Sequence, residues 1–205
     1  MIYLDLMLED GFPVSDEQDT KIFRLLELIR EWNPVVSIVS QGDAEMLVER
    51  HLVDSLSLVK LTSDLTVRTG VLLDIGTGGG FPAIPIKVML PDLQVILVER
   101  SIKRIGFLRK VVAALRLEGI TIVEGVFPAA VVRVTPDVIT ARAVEEPDRI
   151  LKGVVPFVEA GAVFLCQSGD PRGKLPARFH VEPVEDAWSR TGLRRGSLYL
   201  VRRKQ

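Results

Sequence analysis

The stretch Val71-Leu72-Leu73-Asp74-Ile75-Gly76-Thr77-Gly78-Gly79-Gly80-Phe81-Pro82 constrains this chain more than any other. A continuous apolar run closing on an acid, then four glycines in five positions, then a proline, predicts a buried parallel strand, a tight turn and a helix start. Glycine is required there because the backbone must enter φ > 0 and because a ligand must reach the main chain without meeting a Cβ. The helix opening near Pro82 aims its unpaired N–H groups back over the turn, where they favour an anionic or oxygen-rich group.

Two cofactor classes use such a turn, and the spacing discriminates between them. A dinucleotide fingerprint is G-x-G-x-x-G, whereas Gly76, Gly78 and Gly80 give G-x-G-x-G and Phe81 stands where the third fingerprint glycine belongs. A pyrophosphate cradle is therefore the weaker reading, and a glycine turn without a ligand is the bland one. Asp74 near the end of this strand and Glu99 ending the next (Gln94-Val95-Ile96-Leu97-Val98-Glu99) give a pattern that resembles the S-adenosylmethionine site of class I methyltransferases. That resemblance implies that Glu99 takes the ribose hydroxyls.

A length of 205 residues with 47% hydrophobic and 26% charged side chains suits one compact α/β core. No run of eighteen apolar residues and no signal pattern opens the chain, where Asp5, Glu9 and Asp10 fall early, so a cytoplasmic location without membrane contact is expected. Two histidines and one cysteine make no ordinary zinc site, and no metal is expected; Cys166, inside an apolar run, reads as a core thiol. The net charge of -1 neither supports nor excludes nucleic acid. The basic residues do cluster: Arg100, Lys103, Arg104, Arg109 and Lys110 in one place, and Arg194, Arg195, Arg202, Arg203 and Lys204 in another. Solvated helix and tail charges would account for either cluster alone.

Ser15 and Gln18 have capping-box spacing, and Ile22, Leu25, Leu26, Ile29 and Trp32 recur at helical period before Asn33-Pro34, where the helix is expected to end. After a β-branched connector, Asp43 reads as the cap of a second helix reaching about Leu61, with an apolar stripe of Val48, Leu52, Leu56 and Val59. His51, Asp54 and Ser55 share a neighbouring face of it. A histidine bonded to the aspartate of its own helix would explain that grouping without a ligand.

From residue 67 onward strands alternate with helices, the mark of a parallel sheet with crossovers. Strands are expected at 71–75, 94–99, 120–124, 137–141 and 160–166, helices at 82–90, 102–117 and 145–155, and two closing strands at 178–184 and 194–202. Residues 1–66 thus form an N-terminal helical extension and residues 67–205 a Rossmann-like domain. Ligands of open α/β sheets lie outside the carboxyl ends of the strands. That rule gathers Gly76–Phe81, Glu99–Arg100, Val126-Phe127-Pro128, Thr140-Ala141-Arg142 and Gln167-Ser168-Gly169 onto one rim, with Val126 and Phe127 flanking an adenine. Arg142 places a guanidinium at the cleft mouth, or else pairs with a nearby acid such as Asp137.

Beyond these local signals, Trp32-Asn33, Glu45-Met46-Leu47-Val48, His51-Leu52-Val53-Asp54-Ser55-Leu56, Asp74 to Pro85, Lys103-Arg104-Ile105-Gly106-Phe107-Leu108 and Ala141-Arg142-Ala143 together resemble the RsmG (GidB) family. The resemblance covers nearly the whole chain. It implies a class I methyltransferase fold, Rossmann-like with a mostly parallel seven-stranded sheet. It implies transfer of the methyl of S-adenosylmethionine to N7 of a guanine in 16S ribosomal RNA near the decoding region. Cofactor contacts are implied at Gly76, Thr77, Gly78, Gly80, Phe81, Glu99, Arg100, Val126, Phe127, Pro128 and Arg142, with Arg142 the candidate for a catalytic role. RNA or cleft contacts are implied at His51, Asp54, Ser55, Lys103 and Arg104. The acceptor would be 16S rRNA or the small ribosomal subunit, and a monomer is the simplest assembly.

The chain departs from the family at Ser37-Ile38-Val39, where Asn-Leu-Thr is usual, and at Gln167-Ser168-Gly169, where a lysine precedes the glycine. A relative that methylates another RNA or a protein, and a non-catalytic RNA-binding module, are the competing functions.

Overall fold

The structure, a computed structural model, describes residues 2–44, 46–130, 134–167, 169–194 and 196–204. Helices α1 (Ile2–Glu9), α2 (Asp16–Val36), α3 (Gln41–Ala44), α4 (Val53–Leu56) and α5 (Val59–Leu65) precede the first strand, with a π-helical turn at Val48–Leu52. Strand β1 (Val71–Ile75) leads into α6 (Ala83–Met89), β2 (Gln94–Glu99) into α7 (Ile102–Ala114), and β3 (Ile120–Glu124) is followed by β4 (Val138–Arg142). The chain continues as α8 (Pro147–Glu159), β5 (Val163–Gln167), β6 (Phe179–Pro183), α9 (Ala187–Arg190) and β7 (Tyr199–Arg203).

The seven strands form one sheet in the order β3-β2-β1-β4-β5-β7-β6, and β7 runs antiparallel to both β5 and β6. Both faces are covered, which is why the strands read as apolar runs. Leu72, Val95, Leu97, Val138 and Leu165 enter one core with α2, α6 and α7. Their neighbours Leu73, Val98, Ile139, Phe164 and Cys166 enter the other, against Ile150, Leu151, Val154 and Val158 of α8. The period-2 alternation of the pleat thus sorts adjacent residues into two cores.

Local signals set several boundaries. Ser15 caps α2 with a complete box: its hydroxyl accepts from the Gln18 amide and the Gln18 side chain accepts from the Ser15 amide. Ser101 caps α7 by accepting from the Arg104 amide. Contrary to expectation, Pro34 does not end α2, which runs on to Val36 and closes with Ser37 in the left-handed region at φ 52°. Pro34 lies in the last turn, where one missing N–H leaves a single carbonyl without its helical partner, and the Asn33 side chain ties down the exit by accepting from the Val39 amide at 2.9 Å.

The helix expected from Asp43 to about Leu61 is broken into the π-turn, α4 and α5. Serine hydroxyls bond back to the chain there: Ser55 Oγ donates to the His51 carbonyl at 2.6 Å and Ser57 Oγ to that of Asp54 at 2.8 Å, competition that bends helices. The last strand starts at Tyr199 rather than 194, and α9 fills part of the preceding interval.

Candidate functional site

The carboxyl ends of β1, β2, β3 and β4 open onto one cleft, lined by Gly76, Glu99, Arg100, Val126, Phe127 and the Ala143–Glu146 turn. Gly76, Gly78 and Gly80 take φ of 67°, 56° and 90°, the left-handed conformations that glycine adopts without strain. Glu99 is buried at the cleft floor: Oε2 accepts from the Gly78 amide at 3.0 Å and Oε1 from the Ser101 amide at 2.8 Å. Each oxygen retains a second lone pair, so the carboxylate is oriented by the loop while still able to accept from a vicinal diol.

Asp74, at 1% exposure, lies behind that loop. Oδ1 accepts from the Thr140 hydroxyl at 2.7 Å, whereas Oδ2 and the Thr77 hydroxyl carry no hydrogen bond. Burial pushes its pKa from the usual 3.8 up to about 6, against the lowering influence of the Thr140 hydroxyl and of Arg142. Sequence reasoning quoted this acid as part of the turn without giving it a role.

A second hollow adjoins the first at Ala143 and is lined by Arg50, His51, Asp54, Arg142, Gln167 and Ser197. Ala143 itself has φ 49°, a conformation that non-glycine residues hold only where the surroundings enforce it. Arg142 organises this wall. Its Nη1 donates to the Arg50 carbonyl at 3.1 Å and lies 3.6 Å from Asp54 Oδ2, its Nη2 meets His51 Nδ1, and its guanidinium stands 5.7 Å from the Phe81 ring centroid. The alternative that Arg142 pairs with a nearby acid holds for Asp54; Asp137, the acid named for it, has its Oδ2 accept from the amides of Arg68, Thr69 and Gly70.

The predicted cofactor positions therefore divide. Gly76, Glu99, Arg100, Val126 and Phe127 meet at the first cleft, but Phe127 is 2% exposed and packs 5.9 Å from Phe157, so of the expected flanking pair Val126 alone presents an exposed side chain. Thr77 is buried beside Asp74, and Pro128 packs over Gly153. Phe81 is buried under His51, with ring centroids 5.3 Å apart, and backs the His51 and Arg142 side chains that line the second hollow.

Among the predicted RNA positions, His51 and Asp54 line that hollow while Ser55, fully buried, stands behind it. Lys103 is exposed on α7, and Arg104 reaches the first cleft while donating to the Ser37 carbonyl at 2.9 Å. The C-terminal basic group disperses: Arg194 is buried in an ion pair with Asp186 at 2.6 Å, Arg202 pairs with Glu182 at 3.4 Å, and Arg195 lies outside the described residues, as does Ser168 of the rim. Glu145, Glu146 and Arg149 on the cleft wall were not singled out: they fall at the head of the helix expected at 145–155, and helical period does not show which end of a helix meets the cleft.

Among the described residues no three potential metal ligands converge, and no helix is long and apolar enough to cross a membrane. A solved SAH-bound methyltransferase from Podospora anserina superposes with TM-score 0.64 at 14% identity, over 94% of this chain and 89% of that one, a likeness of fold. The ribosomal RNA small subunit methyltransferase G of Alkaliphilus metalliredigens is 33% identical over 82% of this chain and 72% of its own length. Its counterpart from Acetivibrio thermocellus is 34% identical over 78% of this chain and 66% of its own length. With the model of the GidB family, described as rRNA small subunit methyltransferase G, matching residues 18–174, the chain belongs to the GidB family.

Proposed function

We propose that the protein is an S-adenosylmethionine-dependent methyltransferase that modifies N7 of a guanine in 16S ribosomal RNA, near the decoding region, in the cytoplasm. The observation that carries this reading is the pair of hollows meeting at Ala143, one floored by an oriented carboxylate and a glycine turn, the other walled by Arg142, His51 and Asp54. In it Gly76, Glu99, Arg100 and Val126 hold the nucleoside of the donor, and Asp74 lies behind the loop they line. The donor supplies an electrophilic sulfonium methyl.

Guanine N7 carries an in-plane lone pair and no proton, so the residues of the second hollow have no proton to remove. Their task is to present the base edge in line with the methyl and to exclude water, and alignment of this kind supplies a large share of a rate enhancement. Arg142 keeps that wall in register by holding two backbone-linked groups and Asp54 at once. Exposed Lys103 suits a phosphate contact, which positions RNA without reading its sequence. A base has to leave its stack to reach the hollow, which favours a loop nucleotide.

The test is transfer of labelled methyl from S-adenosylmethionine to small subunits, and to their naked RNA, from a strain lacking the enzyme, with mass-spectrometric mapping of the product. Label on one guanine at N7 is expected; no transfer removes the reading. A second acceptor RNA is the competing outcome, motivated by Gln167-Ser168-Gly169 after β5, where a lysine usually precedes the glycine, and the same mapping separates the two.

A further inference from the structure

Arg100 has a partner on the cleft wall, Glu145, to which neither the fold nor the contacts proposed above give a role. Arg100 Nη2 donates to both Glu145 carboxylate oxygens, at 2.8 and 2.7 Å. The two residues are exposed and stand on opposite sides of β1: Arg100 follows β2, Glu145 follows β4, and the sheet order puts β1 between them. With neighbouring strands about 4.8 Å apart, the pair spans about 10 Å across the end of the strand that opens into the glycine loop. Both side chains line the cleft with Glu99 and Val126.

The other arginines on this wall do not reach across. Arg104 donates to the Ser37 carbonyl, and Arg149 pairs at 3.4 Å with Glu146, three residues away. An exposed ion pair adds little to stability, so the fold has no evident need of this one. What the carboxylate does is hold a planar guanidinium in one orientation over the cleft before any ligand arrives, and preorganisation of that kind raises affinity by lowering the cost of ordering.

We infer that Glu145 is a positioning residue that fixes Arg100 as a strap across the nucleoside cleft, so that the purine of the bound donor is roofed by the guanidinium and leaves slowly. This rests on the methyl-donor reading given above. The strap acts in both directions: a nucleoside enters or leaves when the pair opens, and salt, which weakens exposed pairs, speeds both.

The test is the dissociation rate of S-adenosylhomocysteine from the full-length protein, measured by rapid-mixing displacement at low and high potassium chloride. Glu145→Ala and Arg100→Ala are each expected to raise the rate about threefold to tenfold, the size of effect that follows loss of a guanidinium from an aromatic face. Their melting temperatures are expected to stay within about 4 °C of the parent's. Exchanging the charges, Arg100→Glu with Glu145→Arg, rebuilds a strap with its guanidinium and is expected to bring the rate back toward the parent's, a rescue that a merely structural role would not produce. Salt is expected to accelerate release from the parent and to have little effect on Glu145→Ala. Unchanged rates in the single variants, or a double variant as fast as the singles, overturn the strap. Failure of the parent protein to bind S-adenosylhomocysteine would instead remove the methyl-donor reading itself.

Discussion

Asp74 is a residue whose charge the fold holds at a cost. Its carboxyl is buried, one oxygen has no hydrogen bond, and its pKa stands at about 6 rather than 3.8. A value raised in the folded state means that the proton favours folding: this contribution is fully present below about 3.8 and is lost as pH rises through about 6. The displacement corresponds to about 3 kcal/mol at most. Asp74→Asn stays neutral, and its amide can donate to the unsatisfied Thr77 hydroxyl. We predict from denaturant unfolding that this variant is more stable than the parent at pH 8 and that the gain shrinks toward pH 4; a gain independent of pH contradicts the assignment. Arg142 presents the reverse case, a cation whose removal takes its countercharge from a buried carboxylate. With Asp54 only 6% exposed, Arg142→Ala is expected to lower stability by about 2 kcal/mol as well as abolishing most methyl transfer. Adding Asp54→Asn should return part of the stability and none of the activity, which unfolding and transfer assays on the two variants check.

Among the elements, the glycine loop and the connector after α2 are fitted to one another. A Cβ on Gly79 would come within 2.3 Å of Ile38 Cγ2, and one on Gly80, already at φ 90°, within 2.5 Å of Ile84. The connector Ser37-Ile38-Val39 is therefore the surface against which the loop is moulded. Gly79→Ala is predicted to cost about 1–3 kcal/mol through overpacking, and Ile38→Ala in the same chain to relieve most of it. Gly80→Ala should gain nothing from Ile38→Ala, since its obstacle is Ile84 and its own backbone. Thermal unfolding of the four variants separates these cases. The π-turn at Val48–Leu52 has a comparable role, bringing Arg50, His51 and Asp54 to one guanidinium, and no hydrophobic period announces it.

At the scale of the whole molecule, the N-terminal helices and the sheet share one core. Tyr3, Met7, Ile22 and Leu56 join Leu72, Ile84, Phe107 and Trp188 in it, and the Trp188 indole donates to Asp10 at 2.8 Å across the length of the chain. A fragment of residues 67–205 would expose that face to water, so we predict that it shows no cooperative melting and no near-ultraviolet circular dichroism of fixed aromatics. A fragment that melts cooperatively would make residues 1–66 an appendage. The sequence by itself determined what nearest neighbours decide: the buried strand ending at the glycine turn, the left-handed glycines, the caps at Ser15 and Ser101, and an acid placed by strand length at Glu99. These follow from backbone sterics and from periods of 2 and 3.6, which act over a few residues. Only the tertiary structure decided that Arg142 meets His51, 91 residues away, that Arg100 meets Glu145, 45 residues away, and that Phe127 turns inward while Val126 faces the cleft. Those partners are set by which strands lie side by side, an outcome of burying two apolar faces at once that no short window of residues contains.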